Sequence, residues 1–457
     1  MGTRLHIRLT AAVGSYASKV GVPVHASLIA PVVVGETTLL RAGSSLSGNV
    51  TFVSRVGLGI VHETAALGLQ FNEILLPGGQ RASLSARVEE VDNGRERVTK
   101  DGRIHGQRPT SSLCYRTSGY VRSMILWSVH AEVAEWAIKT LLVQLPEPEI
   151  YYPPGAELTL ILTAPLHIDS DLAAIPAVHA IDEQERADMA DSIAAMPSRA
   201  TAPVSHRPSD MVNAIFIGSR EQIASAFVAA GWAEARPSSF RATIRDIRAV
   251  AEGHGFRSAP MSSQLMNGAE SDMSWEKGFN DLSKRHHIRI WKQPGTWHGE
   301  EIWIGAATRD IDFAYLRPGQ RLTHRVEKNI DQERDKVAYD LEFTSCVEGV
   351  DRFDRPGVLR STRNATGDVL STDGRVAVIR FNECRTPRLS TETVDESPLP
   401  MRGSGFYRFA RREILSVRSD LLRSNIYWRT FEAARLVFME LRRRRQQRLE
   451  ARLQKQL

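Results

Sequence analysis

Side chains suited to acid–base chemistry gather between residues 286 and 324. A histidine beside a carboxylate can serve as a general base, and an arginine can hold a phosphate or carboxylate through two hydrogen bonds. This part of the sequence therefore offers a candidate catalytic set for the hydrolysis of an ester or phosphoester. Its members are His287, Arg289, Asp310, Asp312 and His324.

The alternative interpretation of these residues is a structural polar cluster. Neighbouring histidines on a strand point to opposite faces, so His286 and His287 cannot enter one metal site unless the strand bulges. The spacing His-Glu-x-x-His and comparable metal-binding spacings do not occur in the sequence. We therefore expect neither a metal ion nor another cofactor, and no motif specifies a reaction.

A predicted strand positions the central members of this set. Period-two alternation puts His287, Arg289 and Trp291 on one face and the intervening isoleucines on the other. The chain then turns through residues 294–299 into a second strand, which predicts a hairpin. This hairpin would bring a cation, two indoles and a carboxylate onto one surface, where Trp303 is a candidate ligand contact.

A second candidate site lies at Ser219, which follows a short apolar strand at residues 212–218. Free backbone amides at a helix N-terminus can bind an anion. However, Ser219 and Gln222 form the pattern of a capping box, and Gly231 is placed to end the helix. The glycine spacing and lysine of a phosphate loop are absent, so a capped helix is the favoured interpretation.

Residues 210–400 predict a mixed α+β domain whose core spans 210–350. Either Asn329 or Asp331 can cap one of its helices. The other predicted elements are a helix at residues 241–251, a helix that ends near residue 343 and a strand at 376–381.

Residues 1–168 predict a β-rich domain with one amphipathic helix near residues 119–144. Short alternating runs separated by glycine turns are typical of a β sandwich or barrel. The segment at residues 152–160 partly repeats the one at 41–46, which indicates that the same strand entry is used twice.

A linker is predicted at residues 169–209, where alanine, proline and acidic residues dominate and one short helix fits near 182–195. The sequence thus predicts an α+β protein with four parts. They are an N-terminal β barrel or sandwich, a linker, a mixed α+β domain and a basic amphipathic helical tail at residues 401–457.

The overall composition is that of a globular protein with its positive charge concentrated at one end. The 457 residues are 42% hydrophobic and 25% charged, which suits two or three domains. No apolar run of about eighteen residues predicts a membrane span. The net charge is +6, but residues 401–457 carry fifteen Lys and Arg against five Asp and Glu.

The cysteines and the first residues bear on the compartment. Cys114, Cys346 and Cys384 are odd in number and widely spaced, which predicts neither a disulfide framework nor a zinc site. The first residues alternate like a strand and lack the charged and apolar regions of a signal peptide. Either a cytoplasmic protein or a translation start upstream of Met1 would explain this pattern.

The tail combines an apolar stripe with a run of four arginines, Arg442, Arg443, Arg444 and Arg445. The stripe is expected to dock on the protein itself, as most amphipathic helices do. The arginines are most simply a solvated helix end, and contact with an anionic membrane surface is the favoured functional interpretation. Nucleic-acid binding is a less favoured alternative. The stripe consists of Tyr427, Phe431, Ala434, Phe438 and Leu441.

Several separate motifs in the second domain resemble the LssY C-terminal domain. That family is described as a component of type I secretion systems, so the resemblance implies a bacterial cell-envelope context without implying a reaction. The motifs lie at residues 213–219, 230–232, 285–291, 303–307, 323–324 and 331–334.

The N-terminal part resembles the barrel domain of the TrbI-like bridging subunits of type IV secretion machines, through a glycine turn that enters an apolar strand. Together, the two resemblances and the missing catalytic motif predict a non-enzymatic envelope or secretion-associated protein, periplasmic or membrane-associated. Its expected partners are other envelope or secretion proteins or a membrane surface. A hydrolase and a nucleic-acid-binding protein are the alternatives, and the oligomeric state stays open.

Overall fold

The structure is a computed structural model of the chain. It describes residues 2–34, 37–58, 62–76, 79–108, 148–167, 181–235, 261–281, 283–315, 322–384 and 405–424, together with residues 434, 437, 438, 441, 444 and 445. The helices predicted at residues 119–144 and 241–251 lie outside the described residues.

The described residues form 26 strands and four helices. The strands of the first half are β1 (Arg4–Leu9), β2 (Val13–Gly14), β3 (Pro23–Leu28), β4 (Val32–Val34), β5 (Thr37–Leu40), β6 (Ser45–Ser54), β7 (Ala66–Leu75), β8 (Arg81–Val91), β9 (Arg97–Val98), β10 (Arg103–His105), β11 (Tyr151–Tyr152) and β12 (Glu157–Leu162). Those of the second half are β13 (Arg199–Thr201), β14 (Pro208–Met211), β15 (Ala214–Ile217), β16 (Ala233–Glu234), β17 (Leu265–Met266), β18 (Ala269–Glu270), β19 (Met273–Gly278), β20 (Arg285–Trp297), β21 (Glu300–Tyr315), β22 (Leu322–Val326), β23 (Val347–Asp354), β24 (Ser361–Arg363), β25 (Val369–Ser371) and β26 (Arg375–Phe381). The helices are α1 (Glu183–Ala195), α2 (Arg220–Ala229), α3 (Ile330–Phe343) and α4 (Gly405–Ser424).

Six strands of the first half close into a barrel. The hydrogen-bonded order is β6-β3-β1-β12-β8-β7, and β7 pairs back onto β6. Every second residue of β1 points inward, so Leu5, Ile7 and Leu9 are all buried in the barrel core. The predicted β-rich domain is therefore a barrel, and closure leaves these six strands without an open edge.

Two equivalent turns start strands of this barrel. Gly43 precedes β6 and Gly155 precedes β12, and both have φ of +91°. In each turn the residue after the glycine donates its N–H to the carbonyl three residues earlier, from Ser44 to Arg41 and from Ala156 to Pro153. Positive φ at the third turn position favours glycine, which explains why the sequence repeats there.

The second half is built on a mixed sheet of order β16-β19-β20-β21-β15-β26-β23, with β22 paired to β21. The pairing of β15 with β26 is parallel, and the other described pairings in this sheet are antiparallel. Helices α2 and α3 pack on one face through Phe227 and Val337. Helix α1 packs on the other face through Met189 and Ile193. The sheet is thus covered on both faces.

Several predicted elements of the linker and of the second domain are confirmed. The helix expected near residues 182–195 is α1, the strand expected at 376–381 is β26, and α3 ends at Phe343. Asn329, rather than Asp331, caps α3, since its side chain accepts a hydrogen bond from the amide of Asp331. The predicted domain boundaries themselves stay a prediction.

The predicted hairpin is present, but its turn is shorter than expected. Strands β20 and β21 pair as far as Trp297 and Glu300, which leaves His298 and Gly299 as the turn. Both turn residues have positive φ, 49° and 87°. The register shift between Lys292 and Thr296 lets β20 pass its proline and glycine and continue, so the turn expected at residues 294–299 is in part strand.

Cys346 and Cys384 form a disulfide, with their Cα atoms 4.3 Å apart. The prediction of no disulfide framework is therefore wrong for this pair. The two cysteines are 38 residues apart in sequence, and they meet because Val347 on β23 is paired with Phe381 on β26. Spacing along the chain could not show this pairing.

Candidate functional site

Three polar side chains meet around the carboxylate of Asp310, and two of them belong to the predicted catalytic set. The Asp310 carboxylate lies 3.0 Å from Arg285 Nε and 3.0 Å from His287 Nε2, and His324 Nδ1 is 3.3 Å away. These contacts follow from β-sheet register, because Arg285 is paired with Asp310 and His287 with Thr308. We call Arg285, His287, Asp310 and His324 the Asp310 cluster.

Burial and charge act in opposite directions on this cluster. Burial by itself would raise the pKa of Asp310, but His287, His324 and Arg285 together hold it well below its usual range. Burial lowers the pKa of His324, and the neighbouring Asp310 only partly opposes this. The His324 side chain is 28% exposed, whereas Asp310 is 2% exposed. Only His324 combines a carboxylate neighbour with substantial access to solvent in this cluster.

The other two predicted catalytic residues are placed differently. Arg289 Nη1 donates to Asp210 at 3.1 Å, and its Nε donates to the carbonyl of Ser262 at 3.0 Å. Arg289 is therefore held in a buried network of its own. A register shift separates Asp310 from Asp312, and the Asp312 side chain is exposed while that of Asp310 is buried.

The predicted surface of two indoles does not form, because the indoles lie on opposite faces of the sheet. Trp303 belongs to the core beneath α2 and α3, and Trp291 to the core beneath α1. The cation that reaches Trp303 is Lys292, whose Nζ is 5.5 Å from the ring centroid. The Trp303 indole N–H donates to the Gly218 carbonyl at 3.0 Å, so this group already has a protein partner.

Ser219 is the N-cap of α2, as the capping-box pattern predicts. Its hydroxyl accepts from the amide of Gln222 at 3.2 Å, and the Gln222 side chain accepts from the amide of Ser219 at 2.6 Å. The capping box thus binds the amides of Ser219 and Gln222 internally. A role for Ser219 or Trp303 in ligand binding stays a prediction.

Sequence reasoning missed a larger group of charges, which lies between the barrel and the mixed-sheet domain. Glu157 of the barrel accepts hydrogen bonds from Arg8 at 2.6 Å, Lys277 at 2.7 Å and Lys336 at 2.8 Å. Asp340 of α3 accepts from Lys277 at 2.8 Å and Lys336 at 2.6 Å. We call Arg8, Glu157, Lys277, Lys336 and Asp340 the interdomain cluster.

The interdomain cluster is buried, and its charges shift the pKa values of Glu157 and Lys336 in the direction that favours their charged forms. Burial would raise the pKa of Glu157, yet Lys277, Lys336 and Arg8 lower it well below its usual range. Burial would likewise lower the pKa of Lys336, yet Asp340 and Glu157 raise it well above its usual range. Asp340 is fully buried, and besides the two lysines it accepts a hydrogen bond from the Trp232 indole at 3.0 Å.

His286 extends the contact between the domains. Its Nδ1 lies 2.6 Å from Glu333 on α3, and its Nε2 lies 2.9 Å from Asp92 of the barrel. Burial would lower the pKa of His286, but Asp92 and Glu333 raise it to about 9. Arg309 also reaches Asp92, at 3.1 Å. At neutral pH the His286 ring is therefore a cation held between two carboxylates.

A cleft of about 520 Å³ opens beside these charges. The His6 ring of the barrel stacks on Tyr339 of α3 at its wall, with centroids 5.5 Å apart. Polar groups from both domains line the cleft, so it can hold water or a small polar molecule. Within the described residues, no group of three or more histidine, cysteine, aspartate or glutamate side chains is arranged to hold a metal ion.

One sequence signal could have revealed part of the interdomain cluster. Glu333, Lys336 and Asp340 lie on one stripe of α3, at a spacing that would normally carry apolar residues toward a core. Charged residues at such positions indicate a buried ionic contact. Glu157, the partner of Lys336, lies 179 residues before it, a pairing with no local signal.

The structure describes only some of the tail residues for which a contact is predicted. Arg442 and Arg443 lie outside the described residues, as do Tyr427 and Phe431 of the stripe. Arg444 and Arg445 are exposed. Phe438 and Leu441 are 67% and 60% exposed, so the expectation that the stripe docks on the protein is wrong for these two. Among the described helices, none combines the length and the hydropathy of a membrane span.

The fold and the charged contacts define a class of α+β protein in which a closed β barrel is joined to a mixed-sheet domain by buried ion pairs. Residues 191–376 match the model of the family described as LssY C-terminus. This match confirms the resemblance that the sequence motifs of this part of the chain indicate.

Other comparisons contribute less. No curated protein matches the chain. Among solved structures, the chain is similar to one titled "Structure of ComB10 of the Com Type IV secretion system of Helicobacter pylori". The match has 12% identity and a TM-score of 0.19, and covers 35% of this chain and 85% of that chain. This TM-score does not establish a common fold, so the TrbI-like resemblance stays a prediction.

Replacing Lys336 by methionine should destabilise the protein. The change leaves Glu157 and Asp340 buried with fewer cations, and breaking a buried ion pair typically costs about 3–5 kcal/mol. Urea unfolding followed by tryptophan fluorescence measures the loss. Lys328→Met is the matched control, since Lys328 is exposed and precedes the same helix. Equal unfolding midpoints for the two variants would contradict a stabilising role for the cluster.

Stability should fall as the pH rises through about 9. His286 has a pKa of about 9 in the folded protein, against 6.5 ordinarily, so its stabilisation is complete below pH 6.5 and lost above its folded pKa. The expected loss is on the order of 3 kcal/mol. Urea unfolding from about pH 6 to about pH 10 should show a smaller pH dependence for His286→Gln than for the wild type.

The control for this measurement is His298→Gln, because the His298 side chain is 61% exposed. It should keep the wild-type pH dependence. The same dependence in all three proteins would show that His286 does not carry the effect.

Proposed function

We propose that the protein is a non-enzymatic component of the bacterial cell envelope, which acts through contacts with other envelope or secretion proteins or with a membrane surface. The observation that carries this proposal is the use of the predicted catalytic side chains in buried ion pairs. Arg289 is bound to Asp210 and Ser262, and His287 is bound to Asp310.

These ion pairs disfavour catalysis by His287 or Arg289. A substrate that recruited Arg289 would have to separate it from Asp210, and both side chains are about 95% buried. Removing one partner of such a pair leaves an uncompensated charge away from water, which is energetically costly. The pairs therefore support a structural role for these residues.

The disulfide supports an envelope location. Disulfides persist in oxidising compartments such as the bacterial periplasm and are rare in the cytosol. Cys346 and Cys384 connect β23 and β26 at the edge of the mixed sheet. The resemblance of this domain to LssY proteins implies the same compartment.

A hydrolase is the second candidate, and one observation favours it. His324 lies 3.3 Å from Asp310 and keeps a side-chain exposure of 28%. A histidine oriented by a buried carboxylate is the arrangement of a general base. In this case His324 would carry the reaction, and Arg285 and His287 would position Asp310.

Fractionation of the native cells tests the envelope proposal. We expect the protein in the periplasmic or membrane fraction, with Cys346 and Cys384 resistant to alkylation until a reductant is added. The alkylation is performed before the cells are broken, so that oxidation of the two thiols during lysis cannot be mistaken for a native disulfide. A protein found only in the cytosol, with both thiols reactive, would overturn the proposal.

A substrate screen tests the hydrolase. The purified full chain should not hydrolyse esters or phosphoesters above the level of its His324→Ala variant. Arg289→Ala is a useful second variant, because Arg289 lies outside the Asp310 cluster. Turnover that is lost in His324→Ala and retained in a folded Arg289→Ala protein would replace the non-enzymatic proposal with a hydrolase.

A further inference from the structure

Helix α4 docks on the barrel through a face that is mainly charged. Arg411 donates to Glu149 at 2.8 Å, and Arg418 donates to the carbonyl of Gly57. Leu415 lies between the two arginines and is fully buried in the barrel core. Arg411 and Arg418 are 7% and 8% exposed. Two buried arginines and one leucine therefore fix the rotation of α4 about its axis.

Apolar side chains occupy most of the outward face of the same helix, which also carries the partly exposed Glu413. Phe406 is 79% exposed, Phe409 41%, Ile414 49% and Val417 47%. Offsets of three, eight and eleven residues from Phe406 place all four on one side of a helix with 3.6 residues per turn. A surface helix normally buries its apolar stripe. Here the stripe points outward, because the arginines hold the opposite side against the barrel.

The charge of this region indicates what covers the stripe. Residues 401–457 carry fifteen Lys and Arg against five Asp and Glu. Further along the chain, Phe438 and Leu441 are exposed, close in sequence to the exposed Arg444 and Arg445. Aromatic and aliphatic residues mixed with arginine are typical of helices that lie in the interface of an anionic bilayer.

We propose that α4 is a lipid-docking helix, which lies along the surface of an anionic bilayer with its outward stripe in the boundary between head groups and acyl chains. Phe406, Phe409, Ile414 and Val417 supply the apolar contact. The basic residues of 401–457 other than the buried Arg411 and Arg418 supply the attraction to the head groups. This inference rests on the proposed envelope function, for which it specifies a membrane contact.

The docking of α4 also sets the orientation of the protein. Because Arg411, Leu415 and Arg418 bind the barrel, the barrel lies directly behind the helix. A bilayer that receives the outward stripe would therefore hold the barrel close to its surface. The helix needs no rearrangement to bind, since its apolar face is already outward.

Vesicle sedimentation with the purified full chain tests the proposal. The probes are vesicles of phosphatidylcholine alone and vesicles that also contain phosphatidylglycerol. We expect binding to the anionic vesicles, weak binding to the neutral ones, and a decrease between about 0.1 M and about 0.5 M salt. The double variant Phe406→Ser and Val417→Ser should lower the partition coefficient by about tenfold or more.

The matched control replaces two exposed apolar residues elsewhere. Val204→Ser and Leu359→Ser remove side chains that are 92% and 67% exposed, and this double variant should bind vesicles like the wild type. Circular dichroism and thermal unfolding verify that both double variants are folded. Since all four positions are exposed, neither pair removes a core contact.

Three results would overturn the proposal. The wild type could fail to bind anionic vesicles, the double variant of α4 could bind as well as the wild type, or the stripe could mediate self-association. The last case would appear in light scattering as an oligomer that the α4 double variant dissociates, without vesicle binding. A chain that fractionates with the envelope but does not bind vesicles rejects the lipid-docking helix and leaves the proposed function standing.

Discussion

The rest of the structure depends on the buried ionic contact between Glu157, Asp340 and their three cations. Charges lose hydration when they are buried, and only partners at hydrogen-bonding distance offset that loss. The barrel by itself offers Glu157 one partner, Arg8, and the mixed-sheet domain supplies Lys277 and Lys336. Each domain therefore provides hydrogen-bonding partners for buried charges of the other. Separation would expose an incomplete set of charges on both sides.

The adjacent histidines of β20 belong to two different polar networks, one on each face of the sheet. His286 points toward the barrel and contacts Asp92, whereas His287 points to the other face and contacts Asp310. One strand thus connects the interdomain contact with the Asp310 cluster. The segment resembles a catalytic site in sequence because polar residues are concentrated in it. In the structure, most of these residues are bound to other protein groups.

Local patterns predicted the local structure well. Alternation along β20 correctly separated His287 from the isoleucines, and the Ser219–Gln222 pattern correctly predicted a helix cap. The contacts that matter most for the candidate site join residues far apart in the chain. Cys346 and Cys384 meet because of sheet topology, and Glu157 and Lys336 meet because the two domains pack together. Spacing along the chain encodes neither. The sequence therefore predicted the elements and a list of polar residues, but not their partners.

The barrel seam has a consequence for how the chain folds. Strands β1 and β12, the first and last of the barrel, are paired so that Arg8 lies opposite Glu157. The two residues are 149 positions apart, and loop closure over such a distance is slow compared with hairpin formation. Before the seam forms, Lys277 and Lys336 would meet a Glu157 that lacks its Arg8 partner. We therefore expect the second domain to dock late in folding, and to dock more favourably on a barrel that has already closed.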